Sequence, residues 1–279
     1  MKVELIFITH NRLAYTELSL PALLSDSQEE FSLIIWDNAS TDGTQNYLST
    51  IQDPRISEKI FSKDNLGLRG AVNYLFEHST ADLLGIVPND LLVSAGWTRT
   101  LVQAHADVPE FGLLGCWHLG EEYYDESRAK HKIQRFGEHQ VLRHPWTGGA
   151  GGLVKLKAVK ACGFLKNNST PDYWKSMAMK GYVNGYYLPL VFVEHMDYPW
   201  SKYYAFSDKI EEGLKTSVTY NKRGINTVAE AKKWHQEVLR NILDEPYDVK
   251  YYVGWRKKLR RGRNKLAGMF KDFRFGKQS

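Results

Sequence analysis

A short apolar run that ends in a carboxylate and a polar turn is the feature that most constrains this chain. Residues 31–36 are apolar, Asp37 follows them, and the polar stretch 38–44 leads into residues 45–51, which have helical character. Short apolar runs bounded by turn residues are typical of buried strands. Three residues of the polar stretch are good helix N-cap candidates: Ser40, Thr41 and Asp42. The segment therefore places Asp37 at the carboxyl end of a buried strand, where open α/β sheets bind ligands. The alternative is that the polar residues serve only as helix caps.

Strand and helix patterns alternate through the first hundred residues. Strands are predicted at 3–8, 31–36, 57–61 and 82–87, and helices at 13–24, 41–51, 67–78 and 97–105. Such alternation predicts parallel strands joined by crossover helices. Beyond residue 110 the predicted elements are a strand at 111–116, an irregular stretch at 118–147, helices at 153–162, 172–181 and 227–243, and a strand at 188–193. We therefore expect an α/β protein with a less regular second half.

The composition limits the classes of protein to which the chain can belong. It has 279 residues, of which 43% are hydrophobic and 25% charged, as in ordinary globular proteins. Its two cysteines, Cys116 and Cys162, have no CxxC partner, so neither a zinc site nor a disulfide framework is expected. No apolar stretch reaches the roughly 20 residues of a membrane-spanning helix, and the first residues lack a signal-peptide pattern. We therefore expect a cytoplasmic protein.

Positive charge is concentrated at the C-terminal end of the chain. Residues 250–279 contain 11 Lys and Arg residues and one acidic residue, whereas the net charge of the whole chain is +5. Aromatic and aliphatic residues are interspersed with these cations, which favours peripheral contact with an anionic membrane surface on the cytoplasmic side. A solvated tail and, less favoured, nucleic-acid binding are the alternatives.

Two predicted strand ends carry motifs of one family. Residues 37–44 resemble the D-x-S-x-D-G-T signature of the family 2 glycosyltransferases, which have the GT-A fold. Residues 3–8, followed by the string THNR at 9–12, are similar to the first strand and the T-x-N-R loop of that family. The resemblance extends over roughly residues 3–200 and is most specific within 3–97.

The resemblance implies an α/β fold of GT-A type, with a Rossmann-like, mainly parallel sheet flanked by helices and a mixed acceptor-side half. A glycosyltransferase domain is expected at 1–245, with a nucleotide-binding half at 1–110 and an acceptor half at 111–245, followed by a basic helical tail at 246–279. The implied activity is inverting sugar transfer from a UDP- or dTDP-type donor to a glycan or lipid-linked glycan, in polysaccharide or glycoconjugate synthesis. A non-catalytic binding protein of the same fold is the alternative. A nucleotidyltransferase is less favoured, because the loop after the first strand lacks a glycine.

The implied donor site follows the ends of the predicted strands. A carboxylate such as Asp37 can accept a hydrogen bond from a pyrimidine N–H. By resemblance, the nucleotide-binding residues are Thr9, Asn11, Arg12, Asp37, Asn38, Asn65, Gly67, Arg69, Asn89 and Asp90. Arg69 lies near a predicted helix N-terminus, which suits a base or a phosphate. Turn chemistry for the asparagines and a solvated position for the arginine are the alternatives.

The string Pro88-Asn89-Asp90 occupies the place of the family's Asp-x-Asp motif, which holds Mn²⁺ or Mg²⁺ on the donor diphosphate. The first Asp is missing, so Asp90 is the one carboxylate of this motif. The resemblance also gives a metal-ligand role to His195, which closely follows the apolar residues 191–193. Such cations are often held by one or two protein ligands and by substrate phosphates. A turn role for Asp90 and a surface position for His195 are the alternatives.

The resemblance places the acceptor site after residue 146. Inverting transfer needs one base, and the family takes it from a carboxylate near the start of a helix that follows a glycine-rich segment. Here that segment is 147–152, and Asp172 is the only acidic residue between Glu138 and Glu194. We therefore predict Asp172 as the base, with helix capping as its alternative role. The predicted sugar or acceptor contacts, for which core packing is the alternative, are Trp146, Gly148, Gly149 and Trp174.

Overall fold

A nine-stranded sheet forms the centre of the computed structural model of this chain. The structure describes residues 1–26, 30–148, 151–167, 169–256 and 259. The strands are β1 (Val3–Thr9), β2 (Ser32–Asp37), β3 (Ile56–Phe61), β4 (Leu83–Pro88), β5 (Leu91–Val93), β6 (Phe111–Gly115), β7 (Ile133–Phe136), β8 (His139–Arg143), β9 (Leu153–Lys155), β10 (Val183–Leu188) and β11 (Val193–His195). The helices are α1 (Leu13–Leu24), α2 (Thr44–Thr50), α3 (Gly67–His78), α4 (Trp97–Asp107), α5 (Glu126–Ala129), α6 (Leu156–Cys162), α7 (Thr170–Met179), α8 (Ile210–Thr216), α9 (Val218–Asn221) and α10 (Val228–Leu243). Short 3₁₀ turns lie at Glu121–Tyr123, Lys130–Lys132 and Val249–Tyr252.

The strand order brings six strand ends to one edge of the sheet. The order is β3-β2-β1-β4-β9-β6-β10-β8-β7, and β1 pairs in parallel with both β2 and β4. Because β9 is antiparallel to β4 on one side and to β6 on the other, β6 runs in the same direction as β4. β10 is parallel to β6, and β3 is parallel to β2. The carboxyl ends of β1, β2, β3, β4, β6 and β10 therefore share one edge, where ligands bind in such sheets. The predicted α/β class with a mixed second half is confirmed.

Helices cover both faces of the sheet. Successive residues of a strand point to opposite faces. Leu5 of β1 belongs to an apolar layer that contains Leu20 of α1 and Leu101 of α4, whereas Ile6 of β1 belongs to a second layer with Val72 of α3. All five side chains are fully buried, and each contributes roughly 1.5–3 kcal/mol of burial free energy. The two layers hold the ligand-binding edge on a rigid support.

Two predicted elements of the second half are wrong. The predicted helix at 153–162 begins with the strand β9, and only Leu156–Cys162 is helical. A segment of three residues is too short to show a periodicity that separates strand from helix, so the pairing of β9 with β4 and β6 decides. The predicted strand at 188–193 is mostly the connection between β10 and β11, where Pro189 has no backbone N–H for pairing. The stretch predicted to be irregular, 118–147, contains the antiparallel pair β7 and β8.

Near the end of the described residues, Tyr252 packs against the rest of the protein. The Tyr252 ring lies edge-on to Trp146, with 4.7 Å between ring centroids, and its hydroxyl donates to the Pro246 carbonyl over 2.7 Å. The predicted basic helical tail from residue 257 onward, apart from Leu259, lies outside the described residues. Within the described ranges, none of the helices combines the length and the apolar character needed to cross a membrane.

Candidate active site

β1 ends in a turn that directs a cation toward two carboxylates. Asn11 and Arg12 both have positive φ angles, 54° and 61°, which residues other than glycine rarely adopt. Arg12 Nη1 lies 3.0 Å from Asp197 Oδ1 and 3.9 Å from Asp90 Oδ2. Asp90 follows β4 and Asp197 follows β11, so three separate segments meet here. We call Arg12, Asp90 and Asp197 the carboxylate–arginine cluster.

Burial determines how the carboxylate–arginine cluster is charged. Burial acts to lower the pKa of Arg12, but Asp197 and Asp90 outweigh it and raise that pKa, so the guanidinium stays charged. Burial raises the pKa of Asp197, although Arg12 acts to lower it. Ser217 Oγ supports this carboxylate by donating to Asp197 Oδ2 over 2.8 Å. The Arg12 and Asp197 side chains are only 16% and 7% exposed, so water screens their attraction weakly.

Asp37 lies at the carboxyl end of β2, as predicted, and one of its oxygens is unpaired. The residue is completely buried. Its Oδ2 accepts hydrogen bonds from the Ser40 backbone N–H over 2.9 Å and from Gln45 Nε2 over 2.7 Å. Its Oδ1 is also buried and has no hydrogen-bond partner in the described part of the chain. Because a buried acceptor without a donor is unfavourable, Oδ1 is suited to an N–H group of a ligand.

The structure corrects the predicted helix caps after Asp37. α2 begins after Gly43, whose φ of 94° favours glycine, and no side chain caps this helix. Asp42 instead accepts hydrogen bonds from the Thr44 N–H and hydroxyl, over 3.1 and 2.6 Å, and from the Leu13 N–H over 2.9 Å. Burial acts to raise the pKa of Asp42, but these bonds outweigh it and lower that pKa. The turn is thereby tied to the start of α1.

Three of the predicted nucleotide-binding side chains are engaged inside the protein. Asn89 Nδ2 donates to Thr9 Oγ1 over 3.1 Å, to the Asn11 carbonyl over 3.1 Å and to Thr16 Oγ1 over 3.0 Å. Asn38 Oδ1 accepts from the indole N–H two residues earlier over 2.9 Å. Thr9, Asn38 and Asn89 are all buried. Their bonds hold the ends of β1, β2 and β4 together, and direct contact with a nucleotide stays a prediction for them.

The loop before α3 is joined to the segment before α7. Asn65 Oδ1 accepts from the Gly67 N–H over 2.9 Å, and Gly67 has a φ of 63°. Arg69 Nη1 donates to the Lys166 carbonyl over 3.3 Å. The first turn of α3 is thereby fixed beside the chain that leads into α7.

The two predicted metal ligands lie at paired strands. β11 pairs antiparallel with β5 so that His195 is opposite Leu91, and the Met196 N–H donates to the Asp90 carbonyl over 2.8 Å. His195 Nδ1 is buried and unpaired within the described residues, and the ring stacks on Tyr198 at 4.5 Å. Among the residues that the structure describes, no group of three or more His, Cys, Asp or Glu suits a metal ion. Asp90 and His195 thus lie at the paired ends of β5 and β11, and their role as ligands of a divalent cation stays a prediction.

Asp172 lies in the first turn of α7 with its side chain 58% exposed. Its Oδ2 accepts from Ser169 Oγ over 3.1 Å, and its Oδ1 lies 2.5 Å from Lys175 Nζ. Lys175 is only 11% exposed, and its Nζ lies 5.2 Å from the centroid of the Trp146 ring. Ser169, and not Asp172, occupies the cap position of α7. The result is an accessible carboxylate in a fixed orientation.

The four predicted sugar contacts have different surroundings. The prediction for Trp174 is wrong, because its side chain is completely buried in an apolar layer and offers no ring face to a sugar. Trp146 is partly buried and lies edge-on to His144, with 4.1 Å between ring centroids. Gly148 is exposed, and Gly149 lies outside the described residues.

Comparison with known protein families assigns the chain. Residues 4–156, more than half of the chain, match the family described as glycosyl transferase family 2. The chain belongs to this family. The matched segment contains Arg12, Asp37 and Asp90 but ends before Asp172 and His195.

Curated relatives of this family 2 chain match about half of it. It is 28% identical over 141 residues to the uncharacterized glycosyltransferase YfnE of Bacillus subtilis, over 48% of this chain and 35% of that protein. It is 24% identical over 153 residues to validoxylamine A glucosyltransferase of Streptomyces hygroscopicus subsp. jinggangensis, over 52% of this chain and 36% of that protein. The chain therefore spans about a third of the length of these relatives.

Solved structures share the fold over most of the chain. The mannosyltransferase PcManGT from Pyrobaculum calidifontis, in complex with GDP-Man and Mn²⁺, matches with a TM-score of 0.57 and 19% identity, over 87% of this chain and 72% of that one. TarS residues 1–349 from S. aureus, in complex with UDP-GlcNAc, matches with a TM-score of 0.53 and 16% identity, over 86% and 74%. At these identities the likeness shows the fold alone, and the GT-A type is confirmed.

Sequence reasoning missed two polar side chains of this family 2 site. Asp197 is not among the predicted site residues, yet its carboxylate holds Arg12. Lys175 follows Asp172 by three positions, a spacing that brings side chains together on a helix. The second of these signals was available in the sequence.

Proposed function

We propose that this protein transfers a sugar from a UDP- or dTDP-type sugar nucleotide to a hydroxyl of a glycan or lipid-linked glycan, with inversion at the anomeric carbon. The observation that carries the proposal is the strand order, which sets Asp37, Arg12 and Asp90 along one edge, at the ends of β2, β1 and β4. Family membership supports sugar transfer. The complexes of PcManGT with GDP-Man and of TarS with UDP-GlcNAc support a nucleotide-sugar donor.

In this proposal the base of the donor nucleotide binds at Asp37. Its unpaired Oδ1 accepts the N–H of a uracil or thymine base. Because Ser40 and Gln45 already hold Oδ2, the carboxylate is oriented before the ligand arrives. Arg12 lies one strand farther along the edge, about 4.8 Å away in strand spacing, where its guanidinium attracts the phosphates.

The transfer step is assigned to the first turn of α7. Asp172 takes the proton from the acceptor hydroxyl while that oxygen bonds to the anomeric carbon and the bond from this carbon to the diphosphate oxygen breaks. Attack opposite the leaving group inverts the configuration. Lys175 fixes the orientation of the carboxylate, at 2.5 Å from Oδ1. Asp90 and His195 would hold a Mn²⁺ or Mg²⁺ ion, which would supply positive charge for the leaving diphosphate.

The acceptor and the location form part of the same proposal. Trp255 and Leu259 are four positions apart and 66% and 63% exposed, and they accompany the basic residues of 250–279. Exposed apolar side chains among cations support peripheral contact with an anionic membrane on the cytoplasmic side, where a lipid-linked glycan is within reach. The full chain should sediment with vesicles that contain phosphatidylglycerol, and high salt should release it. Equal sedimentation with neutral phosphatidylcholine vesicles, or none with either, would contradict this part.

Thermal unfolding in the presence of nucleotides is the first test. UDP or dTDP should raise the unfolding temperature, because a ligand that binds only the folded state stabilises it. Asp37→Asn should remove most of this effect, whereas the exposed control Asp64→Asn should keep it. Added Mn²⁺ should increase the effect of the diphosphates. A wild-type protein that no nucleotide or nucleotide sugar stabilises would refute the proposal.

A binding protein that has kept the fold is the second candidate. It is favoured by Pro88 in place of an acidic residue and by the inward-turned amide of Asn89. Release of nucleoside diphosphate from a nucleotide sugar, abolished by Asp172→Asn, would exclude it. Nucleotide binding without turnover, in the presence of membrane-derived acceptors, would establish it instead.

A further inference from the structure

His118 lies beyond the predicted cation site, at the same edge of the central sheet. His118 comes after β6, and β9 alone separates β6 from β4. Because neighbouring strands are about 4.8 Å apart, the end of β6 is roughly 10 Å from the end of β4 and roughly 19 Å from the end of β2. An extended ligand that starts at Asp37 and passes Arg12 and Asp90 therefore reaches β6 with its far end.

The backbone that leads to His118 is held on both sides. The Trp117 N–H donates to the Val191 carbonyl over 2.7 Å, and the Trp117 carbonyl accepts from the Val193 N–H over 3.0 Å. The Trp117 indole is completely buried and donates to the Gly120 carbonyl over 2.7 Å. His118 therefore occupies a fixed position, and a fixed group loses little entropy when a ligand binds.

The His118 imidazole faces Gly148. A Cβ atom at Gly148 would lie 2.6 Å from its Cε1 and 2.9 Å from its Nε2, so the ring fits because residue 148 has no side chain. Gly148 itself is exposed, so the ring borders an open part of the edge. The ring centroid lies 6.2 Å from that of His195 and 6.3 Å from that of Tyr186. Burial, assisted by His195, lowers the pKa of His118.

We infer that His118 binds the transferred sugar of the donor, through a hydrogen bond between its imidazole and a sugar hydroxyl. The inference rests on the proposed function, and it makes His118 a residue that selects among donor sugars on one nucleotide. A sugar hydroxyl both donates and accepts, so an imidazole nitrogen can hydrogen-bond to it. A site built to bond a hydroxyl discriminates strongly against a sugar that lacks it.

His105 provides a matched control at the opposite end of β6. Burial also lowers its pKa to about 3, and its Nε2 is hydrogen-bonded to the Leu153 carbonyl over 3.0 Å. Its ring packs edge-on to Phe111, the first residue of β6, with 6.2 Å between centroids. Replacing His105 thus removes a buried imidazole that is not among the predicted donor-binding residues.

Calorimetric titrations of the full chain with Mn²⁺ present test the inference. The ligand pairs are UDP with UDP-GlcNAc and dTDP with dTDP-glucose, and the variants are His118→Leu, His118→Asn and His105→Leu. His118→Leu should weaken the binding of the nucleotide sugar about tenfold more than the binding of the matching diphosphate, which corresponds to one lost hydrogen bond. His118→Asn, which keeps a polar group, should lose less, and His105→Leu should affect both ligands by the same factor.

Two outcomes separate this inference from the proposed function. If His118→Leu and His118→Asn weaken the binding of the diphosphate and of its sugar conjugate equally, His118 does not contact the sugar. The proposed nucleotide site would be unaffected by this result. If the wild-type chain binds none of the four ligands, the proposed function fails and this inference fails with it. Thermal unfolding of each variant checks that it is folded, and the asparagine variant serves where the leucine variant is not.

Discussion

Lys132 is a completely buried lysine, and its replacement tests how burial controls charge in the second half of the protein. Its Nζ donates to the Ile242 carbonyl and lies 3.2 Å from His144 Nδ1. Ile242 is in the last turn of α10, where carbonyls lack helical partners and attract cations. Burial lowers the pKa of Lys132 to about 7, although Glu245 and Asp244 act to raise it.

This pKa makes the stability of the protein depend on pH in a defined direction. The unfolded chain keeps the lysine proton up to its ordinary pKa of 10.5, whereas the folded protein releases it near pH 7. Between these values the unfolded state binds more protons, so the free energy of unfolding rises with pH, by at most about 1.4 kcal/mol per pH unit. From pH 7 to pH 9 the contribution of Lys132 is about 2 kcal/mol.

Lys132→Met should remove this contribution. Urea unfolding, followed by tryptophan fluorescence at pH 7, 8 and 9, gives the free energy of unfolding of each variant. The difference between wild type and Lys132→Met should grow by about 2 kcal/mol in favour of the wild type over this range. The exposed control Lys160→Met should follow the wild type at each pH. Parallel curves for wild type and Lys132→Met would refute the reasoning from burial.

Three further replacements test the candidate site. Arg12→Met leaves Asp197 buried without its cation and should lower the free energy of unfolding in urea by about 3–5 kcal/mol. The control Arg99→Met, in a pair whose arginine is 53% exposed, should lower this free energy by less than about 1 kcal/mol. Equal losses would contradict the role of the buried pair. Asn89→Ala should lower the same free energy of unfolding by about 1–3 kcal/mol. It should not change the effect of Mn²⁺ on nucleotide-induced thermal stabilisation. Loss of the Mn²⁺ effect would make Asn89 a ligand of the metal ion. Asp172→Asn should reduce the release of nucleoside diphosphate about 100- to 10,000-fold with unchanged nucleotide affinity, and retained turnover would remove Asp172 as the base.

Local patterns were sufficient for the first half of the fold. The bounds of α1 and α3 agree with the predicted ranges 13–24 and 67–78, because each helix has a continuous apolar stripe or run between turn residues. The short strand β9 could not be predicted in the same way. Its partners, β4 and β6, lie about 70 and 40 residues earlier in the chain, and only their pairing makes residues 153–155 a strand.

The candidate site was predictable only where a motif is local. Asp37 and Asp90 follow apolar runs, so their positions at strand ends could be derived from the sequence. The contact of Arg12 with Asp197 joins residues 185 positions apart, and no spacing rule connects them. For Trp174, in contrast, the sequence predicted a sugar contact that the structure does not support. It stands close to the predicted base, but the rotation of α7 against the sheet turns its ring into the core.

The insertion of β9 also affects how the protein folds during synthesis. β4 and β6 do not pair with each other, and the three residues of β9 fill the gap between them. Until residues 153–155 have emerged from the ribosome, the half-sheet β3-β2-β1-β4 therefore presents an open strand edge, which is prone to pair with other chains. A nascent chain stalled before this point should aggregate readily. The strand that closes the sheet directly follows Gly152, which lies against Gly115 at the end of β6.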